Sequence, residues 1–174
     1  MDNKVGGNLV KKKCILKIFV VLSLMFFSSC CVIEDENANA TWNINEKNLR
    51  EKVLAESQER EIILNDYTDF EWDTLYEFGA YISKEKIYEI IGFEFYPIKE
   101  TVSEGMNQIL FLSNDEVVCY LYGYPSNNKY GFYIPVYDVY VKLLSKDNPQ
   151  FNIKMYEYDD LNITKLEYMN EEMY

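Results

Sequence analysis

The sequence predicts an α+β domain, with one or two helices packed on a four- to five-stranded antiparallel sheet. Three observations predict it. Helical spacing comes early in the chain and strand-like spacing later. An apolar hairpin signal sits at its middle. Finally, 48% apolar content with 10 Phe, 16 Tyr and two Trp in 174 residues can fill one core.

The first stretch is an address rather than part of that domain. Lys11, Lys12, Lys13 and Lys17 form a positive head, Ile18 to Phe27 is a ten-residue apolar run, and Ser28-Ser29 puts small residues before Cys30. A membrane-spanning helix needs roughly 20 apolar residues, so a cleaved signal over residues 1–29 is expected. Phe27-Ser28-Ser29-Cys30 resembles the lipobox of bacterial lipoproteins. That resemblance implies lipidation of Cys30, a new N-terminus there and attachment to the membrane through acyl chains, each buried methylene contributing about 0.8 kcal/mol. The expected location is the cell envelope, at the outer membrane if the cell has one. No Asp follows Cys30 directly, and Glu34-Asp35-Glu36 is similar to short signals that direct some lipoproteins to the outer face.

Residues 30–44 are acidic and then rich in Asn and Ala, without apolar periodicity, and are expected to form a tether to a single domain over 45–174. Removing residues 1–29 takes five lysines and Asp2 away and leaves 12 basic against 28 acidic side chains, a net charge of −16. That field repels nucleic acid and favours basic partners or cations, or serves solubility alone. Histidine is absent, which removes Ser-His-Asp and Cys-His machinery and histidine-ligated zinc. Of four cysteines, only Cys31 and Cys119 remain beyond Cys30; they pair in an oxidising envelope, or Cys119 packs as a free, buried residue.

Asn45 is placed to cap a helix over about Glu46 to Leu64, with Leu49, Val53, Ser57, Arg60 and Leu64 on one partly apolar stripe. Over Asp69 to Phe78 the period becomes two. Phe70, Trp72, Thr74, Tyr76 and Phe78 point to a core, and Asp69, Glu71, Asp73, Leu75 and Glu77 point outward. Asp69, Glu71 and Asp73 form either a solvated strand face or a surface for calcium or a basic partner. Carboxylates two apart on a strand are roughly 6.5 Å from each other, loose for one metal, and no glycine-centred ligand loop accompanies them. No metal or cofactor is expected.

Ser83 caps a short helix from about Lys84 to Ile91, closed by Gly92. Trp72, Asp73, Leu75, Tyr76, Phe78, Gly79 and Tyr81, followed by Ser83 to Gly92, resemble a group of small bacterial lipoproteins of unassigned function with a W-D-x-apolar-Y-x-F-G motif. Ala80 stands where that group usually has proline, and the resemblance implies no catalytic residue. The helix-then-strands layout is also similar to SmpA/OmlA-type outer-membrane lipoproteins, but Phe93 follows Gly92 where a proline follows closely there.

Ile109–Leu112 and Val117–Tyr122 flank Ser113-Asn114-Asp115-Glu116, a hairpin whose arms are apolar on both faces. Such arms belong in the centre, with a helix on one side and another layer or a dimer partner on the other. Gly123 to Gly131, with Tyr124 and Tyr130, is either ordinary turn chemistry or a recognition loop. Asp138–Leu144 and Phe151–Tyr158 read as strands, and Ile163–Met169 as an edge strand or a frayed helix. Tyr120, Tyr122, Tyr133, Tyr137, Tyr140, Tyr156 and Tyr158 form either packing or an exposed aromatic stripe.

These residues predict a membrane-anchored, non-catalytic module that binds or scaffolds an envelope protein. The alternative is an inhibitor or immunity protein that neutralises a basic toxin or enzyme, prompted by the acidity.

Overall fold

A computed structural model describes residues 37, 39–158 and 160–169. The expected signal over 1–29, Cys30 and Cys31 lie outside the described residues. Among those described, no helix is long and apolar enough to cross a membrane.

The fold is α+β, with helices packed on two sheets of four strands each, mostly antiparallel. Helix α1 (Thr41–Leu54) comes first, then β1 (Arg60–Ile63), the single turn α2 (Leu64–Tyr67) and β2 (Thr74–Phe78). Helix α3 (Lys84–Ile91) follows, then β3 (Asn107–Ser113), β4 (Glu116–Gly123), the turn α4 (Pro125–Asn128) and β5 (Tyr130–Tyr133). The chain closes with β6 (Tyr140–Leu144), β7 (Gln150–Tyr158) and β8 (Leu161–Tyr168). Sheet I has the order β4-β3-β2-β6, and sheet II the order β1-β7-β8-β5.

The layer expected opposite the helix is the second sheet. One core fills the space between the sheets, with Leu75, Ile109, Phe111 and Leu121 from sheet I against Phe132, Phe151, Ile153 and Leu166 from sheet II. The other face of sheet I packs Tyr76, Phe78, Leu110 and Leu112 against Ile87 and Ile91 of α3 and Ile98 beyond it. Sheet I is therefore buried on both sides: all five positions of β2 and the first six of β3 are buried. Each fully buried Leu, Ile or Phe contributes about 1.5–3 kcal/mol.

Three expectations change. The first helix is not capped by Asn45: it begins at Thr41, ends at Leu54, and has no side-chain cap at Ala40. Beyond Val53 the stripe passes through Ser57 and Arg60, which bury nothing, and the chain turns instead into β1, whose Ile62 enters the inter-sheet core. Asn45 lies within α1 and donates to the Val118 carbonyl at 2.8 Å, pinning the helix along β4, an outer strand of sheet I. Trp42 packs edge-on against Phe95 and Tyr120, so the domain starts ahead of residue 45.

The strand expected over Asp69–Phe78 is confined to Thr74–Phe78, and all five positions are buried. Phe70 and Trp72 reach the core from an approach loop, each edge-on to Phe111. The last strand, β8, is interior to sheet II and pairs antiparallel with β7 but parallel with β5, so the meander is not wholly antiparallel.

Helix α3 forms as its sequence predicts: Ser83 Oγ accepts from the Lys86 N–H at 3.3 Å, and Gly92 ends it at φ 91°. Ser83→Ala is expected to cost about 1 kcal/mol, read as a shift in the urea midpoint; a change under about 0.3 kcal/mol would show the cap idle. The hairpin turn also forms as read, with Asn114 and Asp115 at φ 51° and 62°, the signature of a type I′ turn.

Candidate functional site

Glu77 is the buried charged side chain of β2. It shares the inter-sheet face with Leu75, stands in register with Ile109 of β3 and Val141 of β6, and is 5% exposed. Burial pushes its carboxyl up to about 8, opposed by the Asn107 side chain and the Gln108 backbone N–H, which favour the ionised form. One oxygen is provided for: Oε1 accepts from Asn107 Nδ2 at 3.4 Å. The other, Oε2, is buried without a hydrogen-bond partner in the protein.

Asn107 is a clamp between the sheets. Its Nδ2 donates to the Phe132 carbonyl at 2.9 Å and its Oδ1 accepts from the Phe132 N–H at 3.0 Å. Strand β5 pairs with β8 on one side, and on its other side this amide takes the place of a neighbouring strand. The approach is close enough that a Cβ at Gly131 would collide with Asn107 Oδ1 and lie 2.7 Å from the Pro125 ring.

Glu77 and Asn107 lie along a cleft of ≈ 570 Å³. Its walls are mainly apolar, from Met106, Phe132, Ile134 and Val136, with Tyr133 and Tyr137 at the exposed rim and Glu104 and Lys165 beside them. The Lys165 ammonium sits 4.6 Å above the Tyr156 ring. Size and lining suit a ligand group with an apolar body and one polar head.

A second groove of ≈ 530 Å³ contains Asp69, Glu71 and Asp73. These do not converge on one ion. Asp69 takes the Lys52 ammonium at 2.7 Å, Asp73 Oδ2 accepts the Asn114 N–H at 2.7 Å to hold the hairpin turn, and Glu71 is exposed. Among the described residues no trio of acidic or cysteine side chains is placed to hold a metal.

Tyr124 is half-buried, and its carbonyl accepts from Asn127 and Asn128 in the α4 turn. Tyr130 is 0% exposed and donates to Glu46 Oε1 at 2.9 Å, so its ring and hydroxyl join α1 to sheet II and do not face a partner. The tyrosine stripe is likewise divided. Tyr120 is buried, Tyr122 donates to the Glu100 carbonyl at 2.9 Å and Tyr156 to Glu167, while Tyr133, Tyr137, Tyr140 and Tyr158 are exposed. The motif residues are structural: Trp72 Nε1 donates to Thr68 Oγ1 at 3.2 Å, Tyr76 and Phe78 stack at 5.7 Å, and the Gly79 N–H donates to the Val139 carbonyl. Cys119 is free and buried.

Sequence reasoning missed Glu77 and Asn107 as a pair. The available signal was a polar Asn107-Gln108 step opening an apolar run.

The fold and cleft define a two-sheet α+β domain with a buried carboxyl, Glu77, between its sheets. No family model matches the chain, and comparison with curated proteins and with solved structures found no match either.

Proposed function

We propose that this chain is a lipoprotein of the cell envelope, anchored through Cys30, whose folded domain is a non-catalytic module that holds a protein partner at the inter-sheet cleft. The observation that carries this reading is the mainly apolar cleft of ≈ 570 Å³ with the exposed Tyr133 and Tyr137 at its rim. Binding is favoured over chemistry because Glu77 is held by an amide and a backbone N–H, and the chain has no histidine to relay a proton. The inhibitor reading draws on the net charge of −16 and predicts a basic partner.

Two experiments test the proposal. The wild-type chain should fractionate with membranes and take up labelled palmitate, and Cys30→Ser should abolish both; a soluble wild type would end the anchoring reading. Crosslinking in intact cells, followed by capture at low and high salt, should recover an envelope protein that Tyr133→Ser/Tyr137→Ser no longer holds. A basic partner lost at high salt would favour the inhibitor reading, and capture unaffected by the double variant would remove the cleft from the proposal.

A further inference from the structure

Resting on the reading that Cys30 is acylated, we infer that the aromatic tip between α3 and β3, Tyr96-Pro97 with Phe95 and Trp42 behind it, docks on the lipid surface that holds the anchor. The folded chain is tied down close to that anchor. The Asn37 carbonyl accepts from the Ala40 N–H at 3.1 Å and from Asn43 Nδ2 at 3.0 Å, so Asn37 is fixed to the first turns of α1. Seven steps of chain lead from Cys30 to Asn37 and reach at most about 25 Å. An acylated Cys30 therefore keeps the bilayer surface within that distance of the start of α1.

The aromatic tip stands beside the same turn. Trp42 packs edge-on against Phe95 with ring centroids 5.6 Å apart. The Phe95 carbonyl accepts from the Ile98 N–H at 3.0 Å and from the Tyr88 hydroxyl at 3.1 Å, which closes a tight turn over Tyr96 and Pro97 and ties it to α3. Ile98 roots the turn in the core between α3 and sheet I. Tyr96 is nonetheless 87% exposed, a ring held out into solvent by a turn fixed at both ends. Tyrosine and tryptophan are the side chains that settle at the headgroup level of a bilayer, with the ring in the apolar zone and the polar tip in water. The exposed charges that flank the tip, Glu94 and Lys99, are opposite in sign, so the tip adds nothing to the chain's acidity.

So small a tip holds a free domain on lipid only weakly. Seven residues of tether change the balance, because they keep tip and surface together at an effective concentration on the order of millimolar. Anchoring then sets which side of the domain meets the membrane. Proximity to the anchor favours lipid over a protein as the occupant of the tip.

The test is hydroxyl-radical footprinting, read by mass spectrometry, of the acylated wild-type chain in vesicles of phosphatidylcholine and phosphatidylethanolamine, with flotation measured on the same samples. Tyr96 and Tyr137 are 87% and 84% exposed, so in an undocked domain they should oxidise at nearly equal rates. Docking should slow Tyr96 at least fivefold relative to Tyr137. Tyr96→Phe should keep Phe95 and Trp42 protected, whereas Tyr96→Asp should raise their oxidation at least threefold with flotation and the urea midpoint unchanged. Equal oxidation of Tyr96 and Tyr137 in protein that floats would overturn the docking and leave the anchor standing. Protection of Tyr96 that grows with the density of protein on the vesicles would assign the tip to a second copy of the chain instead. A wild type that does not float would end the anchoring reading and this inference with it.

Discussion

Replacing Asn107 by alanine is expected to destabilise the domain by about 3–5 kcal/mol, far more than the loss of an ordinary polar side chain. The reason is that the amide satisfies two buried backbone groups of Phe132 at once, at 2.9 and 3.0 Å, and also contacts Glu77. Truncation leaves a donor and an acceptor unsatisfied, each at about 1–3 kcal/mol, and removes the link between sheets I and II at this end. Equilibrium urea unfolding measures it. Amide exchange at Phe132 should accelerate more than at Phe151, whose backbone is paired on both sides, with β1 and β8. A loss below about 1 kcal/mol would mean that β5 is held by β8 alone.

Glu77→Gln is expected to stabilise the protein at high pH and to change little at low pH. The sign follows from the direction of the shift. Burial raises the folded-state value to about 8 from the ordinary 4.5, so between those values the folded chain retains a proton that the unfolded chain has released. Stability contributed by the protonated form is thus complete below about 4.5, falls as pH rises, and is lost once pH passes about 8. At about 1.4 kcal/mol per pKa unit the full swing is on the order of 4 kcal/mol. Glutamine keeps the shape and an acceptor for Asn107 and cannot ionise. The variant should therefore match the wild type within about 1 kcal/mol at pH 5 and exceed it by roughly 2–4 kcal/mol at pH 9. Parallel stability curves for the two proteins across that range would show that Glu77 ionises freely. Glu56 acts in the opposite sense: its hydrogen bond to Arg60 lowers its carboxyl, so that contribution is present above the unfolded value and is lost as pH falls through the folded one.

Elements whose signals are local could be read from the chain. Ser83 and Gly92 mark both ends of α3 because capping and a left-handed close are chemistry of one or two residues. Asn114-Asp115 marks the hairpin for the same reason. What failed depended on distant partners. The alternation through Asp69–Phe78 is real, but it cannot tell solvent on the outward side from a second sheet, and so Glu77 read as a surface acid. Its burial is decided by Phe132 and Asn107, which lie remote in sequence. β1 was hidden in a helical stripe because four residues with one buried Ile62 carry too little pattern, and its strand character comes from pairing with β7. Tyr130 looked like a loop residue because Pro125 and Asn127-Asn128 announce a turn, while the Glu46 acceptor that draws it inward is in α1.

The two sheets differ in when they can exist. Sheet I has all four of its strands once the chain has passed Leu144, and its hairpin and helix α3 are built from near neighbours in sequence. Sheet II must wait for a later stretch of chain: Arg60 of β1 finds Ile153, and Tyr130 of β5 finds Thr164, whereas the longest closure in sheet I, Thr74 of β2 to Leu144 of β6, is available sooner. On a chain made from its N-terminus, sheet I with α3 should therefore assemble first and sheet II dock later onto its apolar inner face. Until that docking, Ile109, Phe111 and Leu121 are uncovered and the intermediate is prone to stick to other chains. Because Asn107 and Phe132 come from opposite sheets, the cleft is assembled at the last step, and a molecule able to bind there is one that has finished folding.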